Sequence, residues 1–484
     1  DEDSCSSFIT VPLLVAASWI DPEKEAKIYP AYDRLFDVFT QEGVDDLNDA
    51  LFHLSMAVLK ESGNKTAVVS PFSVAMALAT VNVGARGVTN KQIGNVAFDL
   101  NGLSTRRKSD QVNNLVKYPT QYVDMDNINV WFKAQLAIFK NYTNGNVKIA
   151  SAVYAQKTIA LLEQYQKTLA ENYGTTIEKV DFTKAHQLQR LKINRFVNST
   201  TEGNIPEFLK TQQVSSDTQL VAVNAIFMKS NFKQPFSKAQ TKKAAFHNED
   251  KTTKQVQMMK DTKSGRYHDA KRFLCASIPL AEFGFELLIF VPRTVTLAEL
   301  RKQFFGDRIW FYIDHYNLKA VPSLHITMPK FSTKGDYSLA TLLKKLGIKE
   351  MFTEKADFSG ISKAKIQIND IIHLAVFDLD EEGVNAVAAS VVEAVGPVDC
   401  KKDCEKTIVA DRPFLFAVTY DDVPLFAVFD LDEMGVNAAA ASVADALESE
   451  VCTKSCEKTI VADRPFLFGI NFDDIPIFVG QYYG

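Results

Sequence analysis

The stretch IQINDIIHLAVFDLDEEGVNAVAAS, residues 366–390, joins two patterns at one glycine. Up to Leu379 it alternates as a strand, with Val376, Asp378 and Asp380 on one face and Phe377 and Leu379 on the other. After Gly383 it turns to small side chains: Val384, Asn385, Ala386, Val387, Ala388, Ala389 and Ser390. Glycine relieves the backbone at a bend. The window beyond it holds neither charge nor proline, and proline cannot join a central ladder. The segment is therefore fit to enter a sheet; read alone, it is also a flexible alanine-rich linker.

The chain then repeats itself. Residues 375–426 and 427–478 align without a gap, and 35 of the 52 positions are identical, which makes this one segment written twice. Ten of the 17 differences fall between Val387 and Asp403, whereas the flanks AVFDLDE and CEKTIVADRPFLF are nearly unchanged. Two copies are too few for a solenoid. His373 has no counterpart in the second copy, where Leu425 stands, and the terminal VGQYYG has none in the first. Each copy is thus bounded correctly on one side only.

Outward from the repeat, Leu47, Leu51, Leu54 and Val58 recur at helical spacing and predict a helix ended by Gly63-Asn64. TAVVSPFSVAMALATVNVGA reads as a short strand, a Ser-Pro helix start and a helix closed by Gly84. Strands and helices mix without a steady βαβα beat, which predicts an α+β fold rather than a dinucleotide-binding one. No Pro/Gly/Ser linker divides it. The expectation is an N-terminal extension over residues 1–45 and one domain over 46–484 holding both copies. The apolar run FITVPLLVAASWI, residues 8–20, has the length of a signal-peptide core. It follows Asp1, Glu2 and Asp3 rather than basic residues, so it reads as the extension of a processed or truncated chain.

With 46% hydrophobic residues, 23% charged and a net charge of -5, the 484-residue chain is an ordinary folded protein without the basic balance of a nucleic-acid binder. The basic cluster STRRKSD, residues 104–110, reads as a solvated helix end. No apolar run reaches about 18 residues, so no membrane partner is expected. Six cysteines are too few for a disulfide scaffold. Cys400/Cys404 and Cys452/Cys456 are candidate local disulfides or plain thiols, with zinc ligation as the rarer alternative. Asn64, Asn141 and Asn198 head glycosylation sequons and tilt the reading toward secretion.

Catalytic chemistry is missing. DLDEEG begins like a calcium loop, but its twelfth position is Ala389, and Ala441 in the second copy, where a bidentate Glu is needed. There is no His-Glu-x-x-His, Walker A loop or Gly-x-Ser-x-Gly elbow. His373, within IIHLA, reads as a hydrogen-bonded core histidine. No enzyme activity, cofactor or metal is expected.

From about residue 45 to its end the chain resembles the serpin family, through several motifs in the family's order. NKTAVVSPFSVAMALATVNVGARGVTNKQI is similar to the buried strand and shutter helix, and INRFVNSTTEGNI to the helix F region. LVAVNAIFMKSNFKQPF is similar to a central strand leading to the gate. ITMPKFSTKGDYSLATLLKKLGIKEMFTEKADFSGIS follows the family pattern over nearly its whole length, as does DRPFLFGINFDDIPIFVGQYYG at the C-terminus. The departures are Phe232, where the family usually has Trp, and a poorly matching stretch from Ser104 to Asn146.

The resemblance implies large antiparallel sheets, about nine helices and an exposed reactive loop. It implies a suicide substrate: a target protease, serine or sometimes cysteine, cleaves the loop, which then inserts into the central sheet. The implied hinge is Glu381, Gly383, Val384, Ala386, Ala388 and Ala389, or Glu433, Gly435, Ala438, Ala439, Ala440 and Ala441 in the second copy. Ser70, Ser73, Asn224 and His373 match the buried polar shutter. The family's distance from the hinge Glu puts the cleaved bond at Pro397-Val398 or Ser449-Glu450. Its distance back from the Arg-Pro-Phe motif puts it at Lys402 or Lys454. The two differ because the loop is longer than the family's usual pattern. The implied molecule is a monomer, with polymers open to it through the surplus copy. The alternative is a non-inhibitory member with a carrier, storage or chaperone role.

Overall fold

In the computed structural model the described residues are 41–61, 63, 67–98, 125–142, 147–228, 230–281, 285–306, 318–366, 368, 370–384, 405–409, 414–427, 466–472 and 475–482. They begin with α1 (Gln41–Glu61), β1 (Ala67–Val69), α2 (Pro71–Asn82), α3 (Gly87–Phe98) and α4 (Met125–Tyr142). Next come β2 (Val147–Gln156), α5 (Glu163–Tyr173), β3 (Thr176–Val180), α6 (Phe182–Thr200), β4 (Leu220–Met228) and β5 (Ser230–Asn231). A run of strands follows: β6 (Lys242–His247), β7 (Thr253–Asp269), β8 (Phe273–Pro279) and β9 (Phe285–Pro292). After α7 (Leu297–Gly306) come β10 (Lys319–Pro329), β11 (Phe331–Ser338) and α8 (Ala340–Leu346). The last are β12 (Ile372–Leu379), β13 (Gly383–Val384), β14 (Glu405–Val409), β15 (Phe414–Ala427), β16 (Phe466–Phe472) and β17 (Ile475–Tyr482). The α+β fold is the expected one, with eight α-helices among the described residues against about nine expected.

The local signals act as read. Leu47, Leu51, Leu54 and Val58 are all buried along α1. Ser70 caps α2 by accepting from Ser73 N, and Pro71 sits in its first turn, where a missing N–H costs nothing. All twelve residues of α2 are buried, so it is a core helix rather than an amphipathic one. Beside it, Phe72, Trp131, Phe132, Phe139 and Tyr173 stack edge-on or tilted with ring centroids 4.8–5.7 Å apart.

Three sheets form. The largest runs β1-β17-β16-β15-β9-β8-β7-β10-β14, with β6 on β7. A second is β3-β2-β4 and a third β11-β12-β13-β5. Pairing is antiparallel except at β2–β3, β10–β14 and β15–β16. In β12 the alternation read from sequence holds: Phe377 and Leu379 are buried, while Val376, Asp378 and Asp380 are half-buried. The two copies of the repeat meet in the largest sheet. Their β15 and β16 lie parallel, with Phe414 opposite Phe466 and Val418 opposite Ile470, positions that correspond in the repeat.

Candidate functional site: a sheet that parts at one seam

The site lies between the second and third sheets. β4 and β12 approach within 8 Å between Cα atoms but share no ladder. Adjacent strands sit about 4.8 Å apart, so a strand placed between these two needs about 9.6 Å. Among the described residues no ladder bridges the seam, and it must widen to take a strand.

The first turn of α2 spans it from below. Ser70 N donates to Nε2 of His373 on β12 at 2.9 Å. Ser73 Oγ donates to Asn224 Oδ1 on β4 at 3.2 Å. The shutter residues are thus brought together as two pairs, each tying one bank of the seam to the same helix end. His373 is 1% exposed, and burial lowers its pKa from 6.5 to about 3, so it stands neutral with its proton on Nδ1. It is the hydrogen-bonded core histidine expected. Asn224 Nδ2 is buried and has no partner among the described residues.

The segment expected to be the hinge stands at the head of the seam. Asp380 to Gly383 form a tight turn in which Asp380 N donates to Gly383 O at 3.0 Å, and Asp380 Oδ1 accepts from Glu382 N at 2.9 Å. The chain then reverses into β13. Val384 pairs with Leu379 on one side and Ser230 on the other; Gly383 pairs with Asn231. Gly383 has φ +145°, and a Cβ there would overlap Ser230 O and lie 2.5 Å from Asn231 Cα. Only glycine fits.

Glu381 faces inward, with its side chain 5% exposed and its carboxylate 3.2 Å from Lys330 Nζ. Burial alone would raise its pKa. Hydrogen bonds and the Lys330 charge outweigh burial and hold it below its ordinary 4.5. Two backbone amides grip the turn from outside: Phe232 N donates to Glu382 O at 2.7 Å, and Phe236 N to Glu381 O at 2.6 Å. Lys238 pairs with Glu382 at 2.6 Å. Lys330, Lys238 and Phe236 were not singled out in the sequence. The only signal available was a lysine, Lys330, set between the apolar ends of two strands in MPKF.

The other expectations fall as follows. Ala386, Ala388 and Ala389, the hinge residues Glu433, Gly435 and Ala438 to Ala441, and all the reactive-bond candidates lie outside the described residues. So do Cys400, Cys404, Cys452, Cys456 and Asn64. Asn141 lies at the end of α4, and Asn198 is half-buried within α6. Among the described residues no group of three or more His, Cys, Asp or Glu could hold a metal, and no helix is long and apolar enough to cross a membrane.

The seam is tied to one buried helix end and has a glycine turn at its head; by its family match the chain belongs to the serpin family. The family model described as Serpin (serine protease inhibitor) matches residues 46–427. The chain is 30% identical over 362 residues to the human leukocyte elastase inhibitor, covering 73% of this chain and 89% of that protein. It is 27% identical to human serpin B3 over 367 residues, covering 74% and 91%. Among solved structures it superposes on Serpin48 of the insect Tenebrio molitor with TM-score 0.64 at 26% identity, covering 81% of this chain and 99% of that one. It also superposes on a cleaved Serpin 42Da with TM-score 0.66 at 22% identity, over 80% and 99%.

Proposed function

We propose that the chain is a protease inhibitor acting as a suicide substrate, with a serine protease as its target. The observation that carries this reading is β13. The last residue of the hinge turn and the one after it, Gly383 and Val384, lie antiparallel between β12 and β5, at the head of the seam that a cleaved loop would fill. In this reading the protease nucleophile attacks a bond beyond Ala389. The amine side leaves, the acyl-enzyme remains on the N-terminal side, and that side continues from β13 into the seam. Incubation with an elastase, a chymotrypsin and a trypsin tests it. The expected product is a complex that survives SDS, with the cleavage site identified by mass spectrometry. Loop cleavage without any such complex across a broad panel would overturn the reading and favour the non-inhibitory carrier or storage role.

The two copies are read as alternative cassettes for one place in the largest sheet. Phe290 of β9 pairs with both Leu415 and Leu467, which correspond in the repeat, while its other edge is taken by Cys275 of β8. Val69 of β1 pairs with both Ala427 and Val479, the residues that directly follow the two copies. The family match stops at residue 427, one residue past the end of the first copy. Intact mass of native protein tests this: a species lighter by the mass of 52 residues supports alternative use. Extracellular release belongs to the same reading and rests on the sequons. A mobility shift of secreted protein on N-glycosidase treatment checks it.

A further inference from the structure

We propose that Lys263, with Asp261, is a positioning residue for the hinge, acting through residues 232–240. Lysine is almost never fully buried unless paired. Lys263 lies on β7 at 3% exposure. Its Nζ donates to Pro235 O at 2.8 Å and to Asp261 Oδ2 at 3.3 Å, and stands 4.3 Å from the centroid of the Phe236 ring. The same Asp261 oxygen accepts from Ser237 N at 2.9 Å. One ion pair, its cation buried and its carboxylate half-buried, therefore holds a carbonyl, a ring and an amide on three consecutive residues. Gln234 is fastened to β7 as well, accepting at Oε1 from Ser264 N at 3.4 Å.

The opposite side of this short segment is what grips the hinge. Phe236, with Lys263 over its ring, donates its N–H to Glu381 O. Phe232 donates to Glu382 O, and its ring packs on that of Phe236 with centroids 5.1 Å apart. A path of direct contacts thus runs from Lys263 through Phe236 to the hinge carbonyls. The Phe232 ring is thus backed by Phe236, over which the cation stands. Burying a charge is costly unless it is paired and hydrogen-bonded. A methionine of similar length would fill the space with none of the anchoring. What the charge provides is a fixed seat for residues 235–237, and through it a turn at 380–383 that aims the loop into the seam.

The proposal rests on the inhibitory reading, and the test separates the two. Lys263→Met keeps the apolar stem over Phe236 and removes the charge and its donors; Lys263→Arg restores a cation. Two quantities are measured beside wild type: inhibitor consumed per protease trapped, and hydrogen exchange of peptides covering 230–240 and 220–228 in the free protein. Lys263→Met is expected to raise consumption several-fold, up to about tenfold, because insertion loses its race with hydrolysis when its barrier rises by about 1.36 kcal/mol. The rate of first encounter with the protease stays unchanged. Exchange at Phe232 and Phe236 rises while 220–228 holds, and Lys263→Arg recovers most of both effects. If Lys263→Met misfolds, Asp261→Asn takes its place with the same expectations. Unchanged exchange at 230–240, or unchanged consumption with a lower melting temperature, would overturn the proposal. No trapped complex from wild type would instead overturn the inhibitory reading, and the exchange result would still decide whether Lys263 seats the hinge.

Discussion

His373 is a base that the fold keeps uncharged, and this has a signed consequence. Its pKa falls from 6.5 to about 3 by burial, so below pH 6.5 the unfolded chain takes up a proton that the native state refuses. The stability it supports is complete above pH 6.5 and is lost as pH falls toward 3, at about 1.4 kcal/mol per pH unit. His53, lowered to about 4 by burial, adds a slope over the upper part of the same window. The difference between wild type and His373→Gln isolates the shutter residue. Urea unfolding at pH 7, 6 and 5 is expected to give a shallower fall for His373→Gln, from a lower starting stability. Equal slopes would mean that His373 takes up its proton in the native protein as readily as in the unfolded chain. Glu381 enters only below about 4.5, because its native pKa is held under that value, so this range leaves it out.

At the scale of elements, the turn at 380–383 and the two-residue β13 are the part that has to move in the proposed mechanism. Gly383→Ala would drive a methyl into Ser230 O at a φ that L side chains avoid. β13 is expected to leave its place beside Ser230, the fold to survive, and the variant to be cleaved as a substrate with little trapped complex. Full trapping by Gly383→Ala would sink this. Gly335, opposite Ala375 in β11, is a static counterpart: a Cβ there would overlap Val68 O, so Gly335→Ala should lower stability by about 1–3 kcal/mol in thermal melts without changing the trapped fraction. These elements differ in how far the sequence disclosed them. The β12 alternation and the capped start of α2 are local periods, readable within a dozen residues. The pairing of Ser70 with His373, 303 positions apart, was reached only through resemblance to a family. Lys330 meets Glu381 51 positions along the chain and Lys263 meets Pro235 28 positions back, and no local pattern marks either contact.

Across the whole molecule, the repeat asks which copy completes the largest sheet. Deleting 375–426 or 427–478 leaves one hinge, one loop and one set of C-terminal strands in either case. Both single-copy chains are expected to fold cooperatively and to be cleaved at different bonds, since the copies differ most between Val387 and Asp403. Melting curves and the masses of the cleaved fragments check this. A chain that folds only with both copies present would show that they are parts of one structure. The shared partner Phe290 also gives time a role. A chain folds as it leaves the ribosome, at about 5–20 residues per second, so the first copy emerges roughly 3–10 s before the second. β9 precedes both copies in the chain, and Leu415 reaches it before Leu467 has been made. Order of synthesis, rather than relative affinity, then decides which copy seats first, and slowing translation between the two should bias the outcome further toward the first.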